Sequence, residues 1–502
     1  MKRITGHYER IATAGEAFDA FIPALLPPAE PQLFLDAATL DLLQKAQHGL
    51  SNLELAGEMV PSLDWFIYAF VRKEAVTSSQ IEGTQATLMD LLTFEAEEHA
   101  DKKDDADVEE VCNYLEALKY ARKEVSRKEG VPISMRLLNE VHRRLMKGVR
   151  GSTKQPGEVR RSQNWIGGSR PGNAMFVPPP PYLLADTLSA FEKYIHASDD
   201  IPSLVRAGLL HVQFESIHPY LDGNGRIGRL LITLLLEHWK LISQPLLYLS
   251  LYFKRHRNEY YQRLGAVRTD GDWEGWISFF LQGVVTISSE AVSLAQALFG
   301  LVAKDREKIL NSSQAAVIAL RLFELLPLHP IVTMPGVVKL LNTTKPTATK
   351  AITILEELGI LTESSGRKRD RTFTYSEYLE KLKTGAGVGK GFKAYRVVVE
   401  YAFRKLVVKP GKVIELDQAD EKFDYLSQND AEAFFRKITL KLKNIASVRG
   451  ASLEHYNGFV WTLIEDQLLW SEDVVGISTF HASDVVSDPV DSLLQIMKQA
   501  GL

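Results

Sequence analysis

The sequence predicts a mainly α-helical protein that ends in a winged helix-turn-helix and a small α/β segment. Three observations lead to this prediction. Apolar residues recur at spacings of three and four through most of the chain up to residue 304, as on amphipathic helices. Three more helical patterns and a basic hairpin follow within residues 311–380. Strand-like and helical patterns then mix in residues 392–502.

Composition sets the broad class of the protein. The chain has 502 residues, of which 45% are hydrophobic and 24% charged, and this balance is typical of a globular protein with a large core. A net charge of −4 predicts no overall attraction to nucleic acid or to anionic membranes. The only cysteine, Cys112, excludes an intramolecular disulfide and a four-cysteine zinc site, and it fits a cytoplasmic location. We expect no secretory signal and no membrane span.

The first 304 residues divide into two predicted parts. Residues 1–110 form a helical N-terminal region, with one helix at about 70–83, and residues 111–304 form a helical core. Within the core, the spacing predicts helices over residues 134–148, 183–196, 204–215 and 229–241, and a turn-rich stretch over residues 151–181. No series of alternating strands is expected before residue 328.

The remaining chain has three predicted parts. Residues 311–380 carry helices at 315–325, 334–341 and 347–358 and then a hairpin-like stretch with four cations, which together form the winged helix-turn-helix. Residues 381–391 contain four glycines and form a linker. Residues 392–502 are a segment of unknown role, with strand signals at 395–399 and 413–416.

A glycine-rich segment, His218-Pro-Tyr-Leu-Asp-Gly-Asn-Gly-Arg-Ile-Gly-Arg229, offers the residues for phosphate chemistry. Its glycines let the backbone approach a ligand closely, and their amides favour an anion. The segment opens onto a helix N-terminus, which also attracts phosphate. Arg226 and Arg229 lie three residues apart, so one helix face presents both guanidinium groups. Asp222 is a hard oxygen ligand suited to Mg²⁺, and His218 can accept a proton near neutral pH.

Two other phosphate-binding motifs fit less well. Gly223, Gly225 and Gly228 satisfy the dinucleotide-binding pattern G-x-G-x-x-G, but this pattern requires a preceding strand and a βαβ unit. The residues before it, 214–221, instead continue a helical context and contain a proline. A Walker A loop is excluded because no Gly-Lys-Ser/Thr sequence follows.

At these residues the sequence resembles the Fic family, whose motif is His-x-Phe-x-Asp/Glu-Gly-Asn-Gly-Arg-x-x-Arg. The match is complete except for Tyr220 in the phenylalanine position. The resemblance covers about residues 10–300. It includes residues 156–160 and 164–167 and the Phe-Val-Pro-Pro run from Phe176, which are similar to the family's flap.

The resemblance implies a helical Fic-type domain that transfers AMP from ATP to a protein hydroxyl, with His218 as catalytic base. Asp222 would hold Mg²⁺ on the α- and β-phosphates, and Arg229 would hold the γ-phosphate. The flap would bind a target segment by strand addition. The remaining phosphate ligands would be Gly223, Asn224, Gly225 and Arg226. Tyr260 and Tyr261 would contact the adenine or pack in the core.

A second motif of the same family, Ser/Thr-x-x-x-Glu-Gly/Asn, occurs as Ser78-Ser-Gln-Ile-Glu82-Gly83. The family uses it for autoinhibition. Ser78 and Glu82 are neighbours on a helix, and Gly83 suits a C-terminal cap. The resemblance implies that Glu82 pairs with Arg229 and so blocks the γ-phosphate position within the same chain.

Other functions and partners stay open at this stage. The cations Arg367, Lys368, Arg369 and Arg371 could contact duplex DNA, which would make the chain a DNA-binding regulator with a vestigial Fic domain. Winged helices also dock onto proteins. Within the fold, some relatives remove AMP or transfer other phosphate-containing groups. The protein substrate could include the chain itself, and the sequence leaves an oligomer open.

Overall fold

The fold is given by a computed structural model of the chain. It describes residues 3–13, 16–58, 62–97, 106–127, 129–312, 316–366 and 371–383, and six strands between residues 394 and 468. Contacts divide the chain into two compact units, Met1–Gly387 and Val388–Leu502. The described part of the first unit is mostly helical, which confirms the predicted fold class.

The first unit begins with an antiparallel hairpin, β1 (Gly6–Thr13) and β2 (Glu16–Pro23). No series of alternating strands was expected before residue 328, and this single hairpin was not predicted. Phe18 and Ala20 alternate with exposed residues and pack against Val177, but the alternation is too short to stand out in the sequence. The backbone N–H of Phe21 donates to the carbonyl of Val177 at 2.9 Å, so the hairpin is anchored to the segment identified as a flap.

Five helices follow before the central core, and capping residues set several of their ends. Thr87 and Asp90 form a reciprocal capping box at the start of the third helix, and Ser134 caps the fifth. The second helix ends at Ile81, its C-cap residue is Glu82, and Gly83 follows with φ +99°. The helices are α1 (Ala37–Glu58), α2 (Leu63–Ile81), α3 (Leu88–Ala96), α4 (Ala106–Ser126) and α5 (Met135–Leu145).

The core of the first unit is built around two consecutive buried helices joined by a short loop. The helices from here on are α6 (Leu184–His196), α7 (Ser203–Ile217), α8 (Asn224–His238), α9 (Ser250–Arg255), α10 (Arg257–Asp270) and α11 (Trp273–Leu310). Every residue of α7 from Leu204 to Ile217 is buried, which is typical of a helix surrounded by other elements. The sequence predicted that α8 starts at about Arg229, which is wrong, because the helix starts at Asn224. Gly223 is the N-cap, with φ +78°, and the first turn of the helix tolerates glycine.

Among the described residues, one helix, α11, is long and apolar enough to cross a membrane by length and composition alone. Of its most apolar window, 44% is buried inside the protein. Trp276, Ile277 and Phe280 are fully covered in the core, and α1 packs along the helix. Most large apolar residues of α11 are therefore used in packing, as Trp273 and Trp276 were predicted to be, whereas Phe299 and Leu310 are exposed.

After α11 the chain forms a small mixed subdomain. Its elements are α12 (Ala316–Phe323), β3 (Ile331–Thr333), α13 (Met334–Leu341), α14 (Lys345–Glu357), β4 (Thr362–Glu363), β5 (Thr372–Thr374) and α15 (Ser376–Lys383). The three strands form an antiparallel sheet in the order β3-β5-β4. The sequence missed β3 because three residues are too few for a periodic signal. Arg367, Lys368 and Arg369 lie outside the described residues.

The second unit contains antiparallel strands. A four-stranded sheet has the order β11-β10-β6-β9, and β7 pairs with β8. The predicted strand signal at 395–399 falls on β6, and the one at 413–416 overlaps β8 at residues 413–414. The rest of the second signal and the predicted helices in this unit lie outside the described residues. The strands are β6 (Ala394–Tyr401), β7 (Leu406–Lys409), β8 (Lys412–Ile414), β9 (Ala419–Tyr425), β10 (Val448–Tyr456) and β11 (Trp461–Leu468).

At two glycines of α11, substitution by alanine should change the stability of the protein in opposite directions. In Gly283→Ala the new Cβ would lie 2.7 Å from Cδ1 of Tyr252, and such overpacking costs about 1–3 kcal/mol of unfolding free energy. In Gly300→Ala the Cβ meets nothing within 4 Å, so the higher helix propensity of alanine should raise stability by about 0.5–1 kcal/mol. Urea unfolding of the two variants, followed by circular dichroism, measures the difference. Equal stabilisation by both substitutions would contradict the close packing of α9 on α11.

Candidate phosphoryl-transfer site at the junction of helices 7 and 8

The loop between α7 and α8 has a tightly fixed backbone. His218 ends α7 in the left-handed conformation, with φ +49°. The side chain of Asn224 then closes the loop, because its Oδ1 accepts from the N–H of Tyr220 and its Nδ2 donates to the carbonyl of Tyr220, both at 2.8 Å. In this structure the amide of Asn224 is therefore used to shape the loop, whereas the resemblance implied a phosphate ligand.

The imidazole of His218 is held as a neutral base. Its Nδ1 lies 3.3 Å from the backbone carbonyl of Glu215. Since a carbonyl only accepts, Nδ1 carries the proton, and Nε2 is left as a proton acceptor. Burial, with the nearby Arg160 guanidinium, lowers the pKa of His218 to about 4. With 18% of its side chain exposed, the ring is accessible and uncharged at neutral pH.

Arg160 fixes the backbone on which this histidine sits. Its buried guanidinium donates to the carbonyls of His218 at 3.0 Å and Pro179 at 2.5 Å. Asn164 Nδ2 donates to the carbonyl of Tyr220 at 2.9 Å. The segment of residues 156–181 is thereby bound to the loop. The sequence included Arg160 in the flap region but missed this role, because only the fold brings the carbonyls of these separate turns together.

His142 on α5 is a second residue that the sequence reasoning missed. Its Nδ1 accepts from the N–H of Gly157 at 2.8 Å, so its Nε2 carries the proton and donates to the carbonyl of Asp222 at 3.0 Å. The ring stacks on Tyr220 at 3.9 Å between centroids. The hydroxyl of Tyr220 donates to Asn139 Oδ1 at 2.9 Å, which explains how tyrosine is accommodated where the family motif has phenylalanine.

Arg226 is buried beneath the loop with an acidic partner from α4. Its Nη1 lies 2.6 Å from Glu110 Oε1, and both side chains are almost fully covered. Within the described part of the chain, Nε of Arg226 has no hydrogen-bond acceptor. A buried guanidinium N–H without an acceptor is costly, so the site retains capacity for an additional anion. Glu110 was not predicted, because nothing in the sequence links α4 to this loop.

Arg229 is bound to the motif at the end of α2. Its Nη2 lies 2.6 Å from Glu82 Oε1 and 2.9 Å from the carbonyl of Ser78, and its Nε donates to Ser78 Oγ at 3.0 Å. Burial alone would lower the pKa of Arg229, but the Glu82 carboxylate outweighs burial and raises it. Burial would likewise raise the pKa of Glu82, and Arg229 outweighs it and lowers the pKa.

The carboxylate of Glu82 also lies against the N-terminus of α8. A Cβ at position 225 would clash with Glu82 Oε1, so only glycine at Gly225 lets the carboxylate approach this closely. The free N–H groups of a helix N-terminus attract anions, phosphate included. Glu82 thus occupies an anion position at the start of α8, with 31% of its side chain exposed.

Asp222 has a carboxylate that could hold a cation. Its Oδ1 accepts from the N–H of Gly223 at 2.6 Å, and 36% of the side chain is exposed. No cluster of three or more His, Cys, Asp or Glu side chains suited to a metal occurs among the described residues. The donor set therefore fits a hard cation that is held mainly by phosphate and water, with one carboxylate from the protein.

The two tyrosines considered for adenine lie in different environments. Tyr260 is 1% exposed, its hydroxyl bonds His211 Nε2 at 2.8 Å, and its ring stacks with Phe253, so it belongs to the core. Of the two alternatives, core packing therefore holds for Tyr260. Tyr261 is exposed and carries the guanidinium of Arg257 over its ring. Its contact with adenine stays a prediction.

Comparison with known proteins identifies the domains that contain these residues. Residues 40–123 match the Fic/DOC family N-terminal domain, and residues 132–236 match the Fic/DOC family. The chain therefore contains a Fic domain, which includes the loop from His218 to Arg229, and its N-terminal companion, which includes Glu82.

Several named relatives are similar to part of the chain. The protein adenylyltransferase Fic of Drosophila yakuba is 30% identical over 202 residues, which cover 40% of this chain and 37% of the relative. The protein of the same name from Culex quinquefasciatus is 31% identical over 248 residues, which cover 49% and 46%. The chain thus spans less than half the length of these curated relatives.

Solved structures with a similar chain path include a Fic family protein from Desulfovibrio desulfuricans G20. That match has 19% identity and a TM-score of 0.45, and it covers 68% of this chain and 97% of that one. Fic-1 (residues 134–508) from C. elegans matches with 20% identity and a TM-score of 0.41, covering 52% and 74%.

The neutral state of His142 predicts a pH dependence of stability. Burial lowers the folded-state pKa of His142 to about 4, from 6.5 in the unfolded chain. Between these values the unfolded state binds the extra proton, so this group's contribution to stability is present above about pH 6.5 and is lost as pH falls to 4. In His142→Gln, the slope of unfolding free energy against pH should therefore drop by up to about 1.4 kcal/mol per pH unit within this window.

Urea unfolding of both proteins at closely spaced pH values measures that slope. From pH 7 to 8 the ring is neutral in both states, so the difference between the two proteins should stay constant there. Identical slopes from pH 4 to 6.5 would contradict a buried, neutral His142.

Proposed function

We propose that this chain transfers AMP from ATP to serine, threonine or tyrosine hydroxyls of a protein target. One observation carries the proposal: a neutral, partly exposed histidine lies in the loop that leads into a helix N-terminus with two buried arginines. The base would take a proton from an alcohol, and the helix end would bind the phosphates. The names of the relatives, which cover part of the chain, support the same chemistry.

The anion position at the start of α8 is the binding site for the triphosphate in this proposal. Glu82 marks it, because its carboxylate occupies the place of an anion against Gly225 and Arg229. Arg226 contributes the Nε–H that has no acceptor among the described residues. Charge-assisted bonds from guanidinium to phosphate are short and strong, so phosphate would satisfy both arginines.

The reaction needs little covalent chemistry from the protein. The target hydroxyl oxygen attacks the α-phosphorus while its proton passes to Nε2 of His218, and the bond to pyrophosphate breaks. Positioning and neutralisation of charge supply most of the catalysis in such a displacement. Asp222 would hold Mg²⁺, which when bound neutralises phosphate charge. Arg160 and His142 keep the backbone of the loop in place.

Glu82 acts as a brake in this proposal. The γ-phosphate and the Glu82 carboxylate compete for Arg229, and both are negative, so they cannot share the same position against α8. Productive binding of ATP therefore requires Glu82 to leave. Because Glu82 ends α2, a small movement at the end of that helix would free the arginine.

Removing the brake should raise activity. We expect Glu82→Gly to incorporate at least about tenfold more label from ATP with a radioactive α-phosphate, since tenfold corresponds to only about 1.4 kcal/mol of lost competition. His218→Ala in the same background should abolish the signal. The matched control is Glu97→Gly, which also replaces a glutamate at a helix C-cap, that of α3.

Intact-mass analysis of the Glu82→Gly protein after incubation with ATP and Mg²⁺ then identifies the transferred group. An added mass of AMP supports the proposal, whereas another phosphate-containing adduct would establish a different transfer by the same fold. Equal labelling of the wild type, Glu82→Gly and Glu97→Gly proteins would rule out the brake.

We also propose that residues 311–380 form a winged helix-turn-helix and that the protein works in the cytoplasm. The order α12-β3-α13-α14-β4-β5 with its three-stranded sheet supports the first proposal. The single cysteine, Cys112, supports the second. The intact set His218, Asp222, Arg226 and Arg229 disfavours a regulator with a vestigial Fic domain.

DNA binding by this subdomain can be tested by salt dependence. If the hairpin cations contact phosphates, a gel shift with duplex DNA should weaken steeply as salt rises. Substitution of Arg367, Lys368 and Arg369 by alanine should reduce the slope of log affinity against log salt by about one for each lost contact. Absence of a shift at low salt would leave docking to a protein as the role of the subdomain.

A further inference from the structure

A carboxyl group that neither sequence motif contains lies directly behind the base. Glu215 is on the last turn of α7, three residues before His218. Its Oε2 lies 3.9 Å from His218 Nδ1, on the side of the ring opposite Nε2. The backbone carbonyl of the same residue lies 3.3 Å from the same nitrogen. The carbonyl of Glu215 is therefore the acceptor of the Nδ1–H, and its carboxylate lies close enough to pair with the ring when the ring is charged.

The carboxyl group of Glu215 is enclosed and incompletely bonded. The residue is 8% exposed, and Oε1 has no hydrogen-bond partner among the described residues. A Cβ at position 228 would lie 2.5 Å from Oε1, so Gly228 provides the space for it between α7 and α8. Burying a carboxyl group without a full set of partners is costly, which favours a role in the site over a role in packing.

Charged and titratable groups surround this carboxyl group on several sides. Arg229 on α8 favours its ionised form, and Glu82 at the end of α2 opposes it. Burial is the largest effect and raises the pKa of Glu215 to about 7. Among the described residues, the charged and titratable groups near it are Arg229, Glu82, His218 and His211, and, from α10, Arg268, Tyr260 and Tyr261.

We propose that Glu215 is the positioning residue of the base: its backbone carbonyl keeps the proton of His218 on Nδ1, and its carboxylate compensates the imidazolium formed when Nε2 takes the proton of the target hydroxyl. This inference rests on the proposed function. A carboxylate that faces the far nitrogen of a histidine base both fixes the tautomer and stabilises the charged ring. Glu215 supplies such a group from within one helix.

The proton and the bonds balance without a further reactant. The hydroxyl proton moves to Nε2, the hydroxyl oxygen bonds to the α-phosphorus, and pyrophosphate leaves with the electrons of the broken bond. Nδ1 keeps its own proton throughout, so nothing is transferred to Glu215. The ring then carries one positive charge, which the ionised carboxylate balances.

The activity test compares Glu215→Gln and Glu215→Asp in the Glu82→Gly background, using the full chain. Glu215→Gln should lower kcat roughly tenfold to a hundredfold, as expected for loss of a group that orients a functional histidine, with little change in KM for ATP. In the parent protein, kcat should rise with pH as Glu215 ionises. Because Glu82, which raises the pKa of Glu215, is absent from this background, the rise should occur at or below about pH 7. It should vanish in Glu215→Gln. Glu215→Asp should keep the pH-dependent rise.

Glu237→Gln serves as the matched control, because Glu237 is also a largely buried carboxyl group with a raised pKa, but it pairs with Arg122 at the far end of α8. It should retain the parent pH profile. A loss of kcat in Glu215→Gln that is equal at all pH values would indicate a merely structural role and overturn the proposal, as would unchanged kcat.

A second measurement does not depend on activity. In the ¹⁵N-histidine spectrum of the otherwise wild-type chain, the ring nitrogens of His218, assigned by their loss in His218→Ala, should report the Nδ1–H tautomer. They should also shift near pH 7 as Glu215 ionises, and this shift should be absent in Glu215→Gln. If no labelling occurs but the shift is present, the proposed function fails while the pairing stands. An unchanged titration in Glu215→Gln would overturn the pairing itself.

Discussion

A guanidinium that is almost completely buried must have a negative partner, and this requirement organises the site around Arg229. Only 1% of the Arg229 side chain is exposed, so leaving it unpaired would cost several kcal/mol. In this structure the partner is Glu82, assisted by Ser78. The place of that partner is also the N-terminus of α8, where phosphate would bind. In the proposed function, inhibition and catalysis would therefore compete for one position, and the same arginine would serve both.

The same principle applies to the neighbouring charges. Arg226 is neutralised by Glu110 from α4, just as Arg229 is by Glu82 from α2. Thr84 donates to Glu110 at 2.8 Å, and Arg150 donates to the carbonyl of Glu82 at 3.2 Å, so the end of α2 is linked to both pairs. The N-terminal helices thus supply the negative charge that the buried cations of the core require. His218, by contrast, is kept neutral by burial, which is the state that a base needs.

Sequence reasoning could identify the loop because its residues are consecutive. The order from His218 to Arg229 and the spacing from Ser78 to Glu82 are visible without a fold, and the partner expected for Glu82, Arg229, is the one it contacts. Arg160, His142, Glu110 and Glu215 could not be found in this way, since each acts through a residue on another turn or helix. The start of α8 and the N-terminal hairpin were missed for a different reason. The glycines in the first turn of α8 resemble a loop sequence, and so does the short alternation of buried and exposed residues in the hairpin. In both cases only packing determines whether the segment is a loop or a regular element.

In the proposed function, the N-terminus of α8 is a triphosphate site which Glu82 fills in the resting protein. A crystal structure of the full-length Glu82→Gly protein with a non-hydrolysable ATP analogue and Mg²⁺ tests it most directly. The terminal phosphate should lie against Gly225 and bond Arg229, with the α-phosphorus facing Nε2 of His218. Nucleotide bound elsewhere, with Arg229 turned to another acidic side chain and the loop empty, would contradict it.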